Sequence, residues 1–319
     1  MLEISGLNKS YGKKQVLTGI DLTVRSGEIV GLLGPNGAGK TTTASIVSGL
    51  TAADSGTVRI DGIDIRSNPR QARRKLGLAP QELGVYPTLT AEENLIFFGR
   101  LMGVGRRDLT TRIAEVGERL GVTPFLKTKA HQLSGGQQRR LHTAMALLHE
   151  PDVLWLDEPT VGADVSARQD LLAEVRNLAD QGAAVVYATH YLPELEVLDA
   201  RVVVLHQGRI LAQGSASDLV EQYAQAAVSL EFSAAIPASL GGFLAAPGAA
   251  VLESKRLNIP TNSPGQLLAQ LFATLDTDTD QLLAAEIQHP NLENAYLAIM
   301  RAAHDAVDQP VEGIRDAVA

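Results

Sequence analysis

The stretch GEIVGLLGPNGAGKTTTASIV, residues 27–47, constrains the fold more than any other part of the chain. GEIVGLLG reads as a short buried strand, and TTTASIVSGL reads as the start of a helix. Between them, glycines let successive backbone N–H groups turn into one hollow. The helix N-terminus adds a field that favours an anion. Gly34 to Thr41 runs G-P-N-G-A-G-K-T, which satisfies the phosphate-loop pattern G-x-x-x-x-G-K-[ST]. A chance match in a chain this long has odds on the order of one in a hundred, and the flanking strand and helix lower them further. The expected nucleotide contacts are Gly34, Asn36, Gly37, Ala38, Gly39, Lys40, Thr41 and Thr42. Lys40 reaches the outer phosphates, and Thr41 offers a hydroxyl to magnesium.

At 319 residues the chain has room for a second domain beside a nucleotide-binding one. Its 28 basic and 36 acidic residues give a net charge of −8, which argues against a nonspecific nucleic-acid binder. There is no cysteine, so disulfides and thiolate metal or redox sites are excluded. MLEISGLNKSYGKKQVL carries acidic and polar residues where a signal peptide needs an apolar segment. The stretch nearest to a membrane span, residues 234–252, contains two prolines and three glycines and reads as a water-exposed segment. The expected location is therefore cytoplasmic, with any membrane role supplied by a partner.

Residues 1–30 alternate in short runs, and Asp61-Gly62 marks a hairpin turn, so an antiparallel β-patch is expected near the start. Residues 88–150 have helical spacing, with Thr90 and Glu93 placed as a capping box. DVLWLDEP and GAAVVYATH are continuously apolar, as buried parallel strands are. The composition changes near residue 225, where AVSLEF, VLESKRLNIP and LLAAEIQ suggest strands, while GQLLAQLFATL and LENAYLAIMRAA suggest helices. These residues predict a small α+β unit of ferredoxin-like type over 223–305 and a frayed tail over 306–319.

Two further motifs decide the chemistry. VLWLDE ends a strand on Asp157 and Glu158, and ligands of open α/β sheets collect at the carboxyl ends of strands. Asp157 there holds magnesium through water, and Glu158 polarises an attacking water as general base. LSGGQ places Ser134 as the cap of a helix whose start is left bare by Gly135 and Gly136, a second anion nest in the same chain. A chance match to this pentapeptide has odds on the order of one in a few thousand. An ordinary capped helix would explain the serine but not the paired glycines.

With these residues in place, the chain resembles the ATP-binding subunit of an ABC transporter over about residues 1–222. The resemblance implies an α/β P-loop NTPase fold with an N-terminal antiparallel β-patch and a helical subdomain at about 88–150, followed here by the small C-terminal unit. It implies ATP and magnesium as ligands and ATP hydrolysis as the activity. Ser134, Gly135, Gly136 and Gln137 would contact the γ-phosphate of ATP held by the opposite subunit. Gln81 would sense magnesium and the transport domain, His190 would act as the switch near the γ-phosphate, and Tyr11 would stack on adenine. Asp164 would belong to the subunit-contact loop, where Ala163 replaces the family's usual leucine. One copy of each motif implies a second chain, either a homodimer or a close paralogue. ELGVYPTLTAEENLIFFGRLMG, GGQQRR, EPTVGAD and HPNLENAYLAIM resemble the exporter subfamily for drugs, polysaccharides or lipids. Such a subunit would bind a separately encoded permease beside Gln81 and Tyr86–Thr88, at the cytoplasmic face of the membrane. An importer ATPase and a regulatory ATP-binding module are the alternatives. A P-loop kinase would have no use for LSGGQ.

Overall fold

The structure, a computed structural model, describes residues 1–246, 248–252, 254–275 and 280–308. It divides into two compact units, Met1–Ala216 and Ser217–Ala319.

The first unit opens with strands β1 (Leu2–Tyr11) and β2 (Lys14–Val24), then β3 (Ile29–Leu33), helix α1 (Lys40–Val47), β4 (Ser55–Ile60) and β5 (Ile63–Asp64). The order β2-β1-β4-β5 forms an antiparallel sheet, the expected β-patch. Asp61 and Gly62, at φ 50° and 75°, make the tight turn that pairs Ile60 with Ile63. Helix α2 (Pro69–Arg74) leads to β6 (Leu76–Ala79). Helices α3 (Ala91–Leu101), α4 (Arg106–Arg119) and α5 (Gly135–Leu147) fill the segment expected to be helical. Then follow β7 (Val153–Asp157), α6 (Val165–Asp180), β8 (Ala184–Thr189), α7 (Leu192–Val197), β9 (Arg201–His206) and β10 (Arg209–Gly214).

Strands β6, β7, β8, β3 and β9 run parallel, and β10 pairs antiparallel at the β9 edge. Every residue of β3, β7 and β8 is buried, which explains their unbroken apolar sequence. The core lies where the two sheets enclose α1. Ile4 and Leu22 from the patch, Ile46 from α1, and Val30, Trp155 and Val186 from the parallel sheet share one apolar cluster. Each such side chain contributes roughly 1.5–3 kcal/mol by leaving water.

Register then aligns the strand ends. Leu33 pairs with Thr189, Ala188 with Asp157, and Leu156 with Ala79. The segments after β3, β6, β7 and β8 therefore all emerge at one carboxyl edge.

The second unit contains β11 (Ala227–Phe232), a short helix α9 (Gly241–Leu244), β12 (Ala250–Leu252), β13 (Arg256–Pro260), α10 (Pro264–Leu275), β14 (Leu282–Gln288) and α11 (Leu292–Asp308). Its antiparallel sheet has the order β12-β13-β11-β14, with the first strand inside and the last beside it. That is a split β-α-β-β-α-β arrangement, of ferredoxin-like type. Val228, Leu230, Leu257, Ile259 and Leu271 form its own core. Helix α8 (Ala216–Tyr223) falls almost wholly within this unit, so the division lies six residues before the expected boundary at 222. Of the expected frayed tail, residues 306–308 are still helical, and 309–319 lie outside the described residues.

Candidate active site

The loop from Gly34 to Gly39 closes β3 onto α1. A side chain at Gly34 would meet the Leu205 carbonyl at 2.2 Å, so only glycine fits there. Gly39, at φ 114°, precedes the helix, and no side chain caps α1. No side chain therefore occupies the first-turn amides, which can accept an anion. Lys40 folds back so that Nζ donates to the Gly34 carbonyl and, at 3.3 Å, to the Pro35 carbonyl. Burial pulls the Lys40 ammonium down from the usual lysine range, and the charges of Asp157 and Glu158 oppose that pull. Burial pushes the Asp157 carboxyl up, with Lys40 opposing and Glu158 adding to the rise.

A cavity of about 1040 Å³ is lined by Gly34, Asn36, Gly37, Gly39, Lys40, Thr41, Thr42, Gln81, Asp157, Glu158 and His190. Four chain segments meet there because the register of β3, β6, β7 and β8 brings their ends together. Ala38 is buried behind this lining, where its carbonyl accepts from the Gly208 amide. Glu158 is nearly buried, and its Oε1 lies 2.7 Å from Nδ1 of His190. The backbone N–H of Glu158 donates to the Ala188 carbonyl at 2.8 Å. The Gln81 carbonyl accepts from Nη1 of Arg139 at 2.6 Å, which ties that loop to α5.

Other expected site residues lie outside the lining. Tyr11 is half-exposed at the end of β1, with Lys9 Nζ 5.2 Å from its ring centroid. The cavity wall is supplied instead by Lys14, Gln15, Val16 and Thr18 of β2. Ser134 caps α5 in a reciprocal box. Its Oγ accepts from the Gln137 amide at 3.3 Å, and Gln137 Oε1 accepts from the Ser134 amide at 2.9 Å. Ser134 and Gly135 are exposed, and Gly136 lies against the Gly162 carbonyl closely enough that a Cβ would come within 2.9 Å of it. Asp164 caps α6, accepting from the Ala167 amide at 2.8 Å.

The sequence reading also passed over Gln207 in the wall, Arg139, and a buried carboxylate, Glu194, bonded to Thr160 and Tyr187. The strand after Tyr11 was the one available signal for the wall residues. Nothing local marked Glu194, whose partners are brought together only by folding.

A magnesium ion fits this donor set. Thr41, Gln81 and Asp157 line one cavity and carry hydroxyl, amide and carboxylate oxygens, the hard donors that magnesium takes. Among the described residues, no group of three His, Cys, Asp or Glu side chains could cage a metal.

Residues 17–161 match the family described as "ABC transporter". The chain is 37% identical over 302 residues to the linearmycin resistance ATP-binding protein LnrL of Bacillus subtilis (strain 168), covering 93% of this chain and 97% of LnrL. It is 33% identical over 319 residues to the doxorubicin resistance ATP-binding protein DrrA of Mycobacterium tuberculosis (strain CDC 1551 / Oshkosh), covering 97% and 96% respectively. Among solved structures, it resembles the dimeric post-hydrolysis state of the ATP-binding cassette MJ0796 bound to ADP and Pi. There the TM-score is 0.62 at 27% identity, over 67% of this chain and 98% of that one.

Proposed function

Because the chain belongs to the ABC transporter family as an ATP-hydrolysing, ATP-binding subunit, we propose that it powers export through a separate membrane permease. Two copies of the chain close on ATP, and the cargo is a drug, lipid or polysaccharide. The observation that carries this reading is the composition of the cavity. Phosphate loop, Asp157, Glu158, Gln81 and His190 share one lining, whereas the capped start of α5 at Ser134–Gln137 does not belong to it. A nucleotide in the cavity meets a second anion nest only when another subunit brings one.

In this mechanism the α1 amides and Lys40 grip the outer phosphates, and Lys40 exchanges its bonds to the Gly34 and Pro35 carbonyls for phosphate oxygens. Glu158 takes the proton of the attacking water, and His190 orients the Glu158 carboxylate through their 2.7 Å contact. Thr41, Gln81 and Asp157 would hold magnesium, which would neutralise charge on the phosphates. Tyr11 and the adjacent β2 wall receive the base, and Asp164 lies in the loop that meets the other subunit.

Export is supported by the resistance named for both relatives. No described helix is long and apolar enough to cross a membrane, so the pathway is assigned to the permease, with this chain on the cytoplasmic face. A second cavity, about 400 Å³ and lined by Leu50, Gly84, Phe98, Leu101 and Met145, supports docking of the permease beside the Gln81 loop. Tyr86, Phe97 and Phe98 cluster there with ring centroids 5.0–5.9 Å apart.

The test is phosphate release by the full chain, alone and with the co-expressed permease. Glu158→Gln should keep ATP affinity, lose on the order of 10³-fold in turnover and accumulate an ATP-bound dimer. Near-normal turnover in that variant would remove Glu158 from the role of base. Turnover that ignores every cargo in the presence of the permease would remove the export assignment.

A further inference from the structure

We propose that Glu194 is a positioning residue for ATP hydrolysis, its carboxylate clamping the loop that follows Glu158 to the strand end that precedes His190. The inference rests on the reading of Glu158 as base and His190 as its orienting partner.

Glu194 lies in the first turn of α7 and is 2% exposed. A carboxylate taken that far from water survives only with full hydrogen bonding and opposite charge nearby. Both arrive from separate segments. Oε1 accepts from Thr160 Oγ1 at 2.6 Å, and Oε2 accepts from the Tyr187 hydroxyl at 2.9 Å and Thr189 Oγ1 at 3.3 Å. Arg168 Nε lies 3.5 Å from Oε1 and supplies the charge, while its guanidinium stacks 4.9 Å above the Tyr191 ring. Burial first, and the Glu194 charge second, push the Tyr187 phenol far up, so it remains a donor at working pH.

The positions of these donors give the network its use. Thr160 is two residues beyond Glu158, and Thr189 immediately precedes His190. The Thr189 hydroxyl also accepts from the Tyr191 amide at 3.0 Å, which fixes the chain on the far side of the histidine. One oxygen of Glu194 therefore restrains each side of the Glu158–His190 pair. Glu158 has φ 51°, a left-handed conformation that a non-glycine residue keeps only when its surroundings impose it. A purely structural plug at this site could be apolar, because well-packed hydrophobic groups often replace buried charges without loss. Hydroxyl donors drawn from both catalytic segments are what a spacing device requires.

The experiment measures kcat, KM and nucleotide affinity of the full chain for Glu194→Gln, Thr160→Val and Thr160→Ser. Thr160→Val removes only the Oε1 arm, and Thr160→Ser restores its hydroxyl, so the pair decides the matter even if Glu194→Gln folds poorly. A small misplacement of reacting groups costs up to about 100-fold in rate. Glu194→Gln and Thr160→Val should lower kcat about 10- to 100-fold, with KM and ATP affinity within about threefold of wild type. Thr160→Ser should recover most of kcat. In single turnovers, adding Glu194→Gln to Glu158→Gln should slow the reaction no further. The clamp is overturned by kcat within about twofold of wild type in Thr160→Val. It is equally overturned by a loss shared by Thr160→Ser, by a parallel loss of ATP affinity, or by full multiplication with Glu158→Gln. A wild-type rate in Glu158→Gln with the Thr160→Val loss intact would instead overturn the base assignment and support a clamp acting through His190.

Discussion

At the scale of single residues, burial decides what each titratable group can do. His142 is 4% exposed in α5, and burial, then the nearby Arg139 charge, bring its pKa from 6.5 down to about 4. The folded imidazole is held neutral, while the unfolded one takes a proton near its ordinary value. Between about pH 4 and about pH 6.5 the unfolded chain binds more protons, so stability rises with pH and is fully present above that window. By pH 5 the loss should reach about 2 kcal/mol relative to pH 7. His142→Leu should remove that share of the acid sensitivity, read as the pH 7 to pH 5 change in denaturant midpoint against wild type. An unchanged pH dependence would place the sensitivity elsewhere. Lys40 and Asp157 were legible as single residues because their pattern is local: a glycine loop before one and a buried strand before the other. Glu194 was not, because Thr160, Arg168 and Tyr187 reach it from three other elements.

At the scale of elements, the helix starts differ in whether a side chain closes their first amides. The box anticipated at Thr90 is formed: its Oγ1 accepts from the Glu93 amide at 3.1 Å, and Glu93 Oε2 accepts from the Thr90 amide at 2.8 Å. Ser134 and Gln137 repeat it on α5, whereas α1 begins at Gly39 with no side-chain cap. Thr90→Ala should cost about 1 kcal/mol in denaturation and leave ATP affinity unchanged. A loss of ATP affinity in that variant would show that α3 is coupled to the nucleotide site. The parallel strands were readable from their unbroken apolar runs, and the Asp61-Gly62 hairpin from its turn residues. The short β12 and the irregular stretch around α9 were not, because glycine and alanine there leave no periodicity to read.

At the scale of the whole molecule, Ser134–Gln137 lies outside the lining of the phosphate-loop cavity, and the proposed two-subunit site rests on that separation. Mixing Ser134→Arg with Lys40→Ala subunits leaves one composite site intact in each mixed dimer. Such mixtures should regain ATP turnover, up to about half of wild type per mixed dimer if the two sites act independently, while each parent alone stays inactive. Mixed dimers as inactive as both parents would remove support for independent composite sites. The sequence by itself determined the phosphate loop, the strand-end acids and the capped start of α5, since each is written in residues close together along the chain. Only the tertiary structure decided that Gln81, Asp157, Glu158 and His190 face one cavity, that β2 walls it beside Tyr11, and that Glu194 ties two of its edges together. The first of these depends on the register of parallel strands, which joins segments far apart in sequence, and the other two on contacts between separate elements, all beyond the reach of any local pattern.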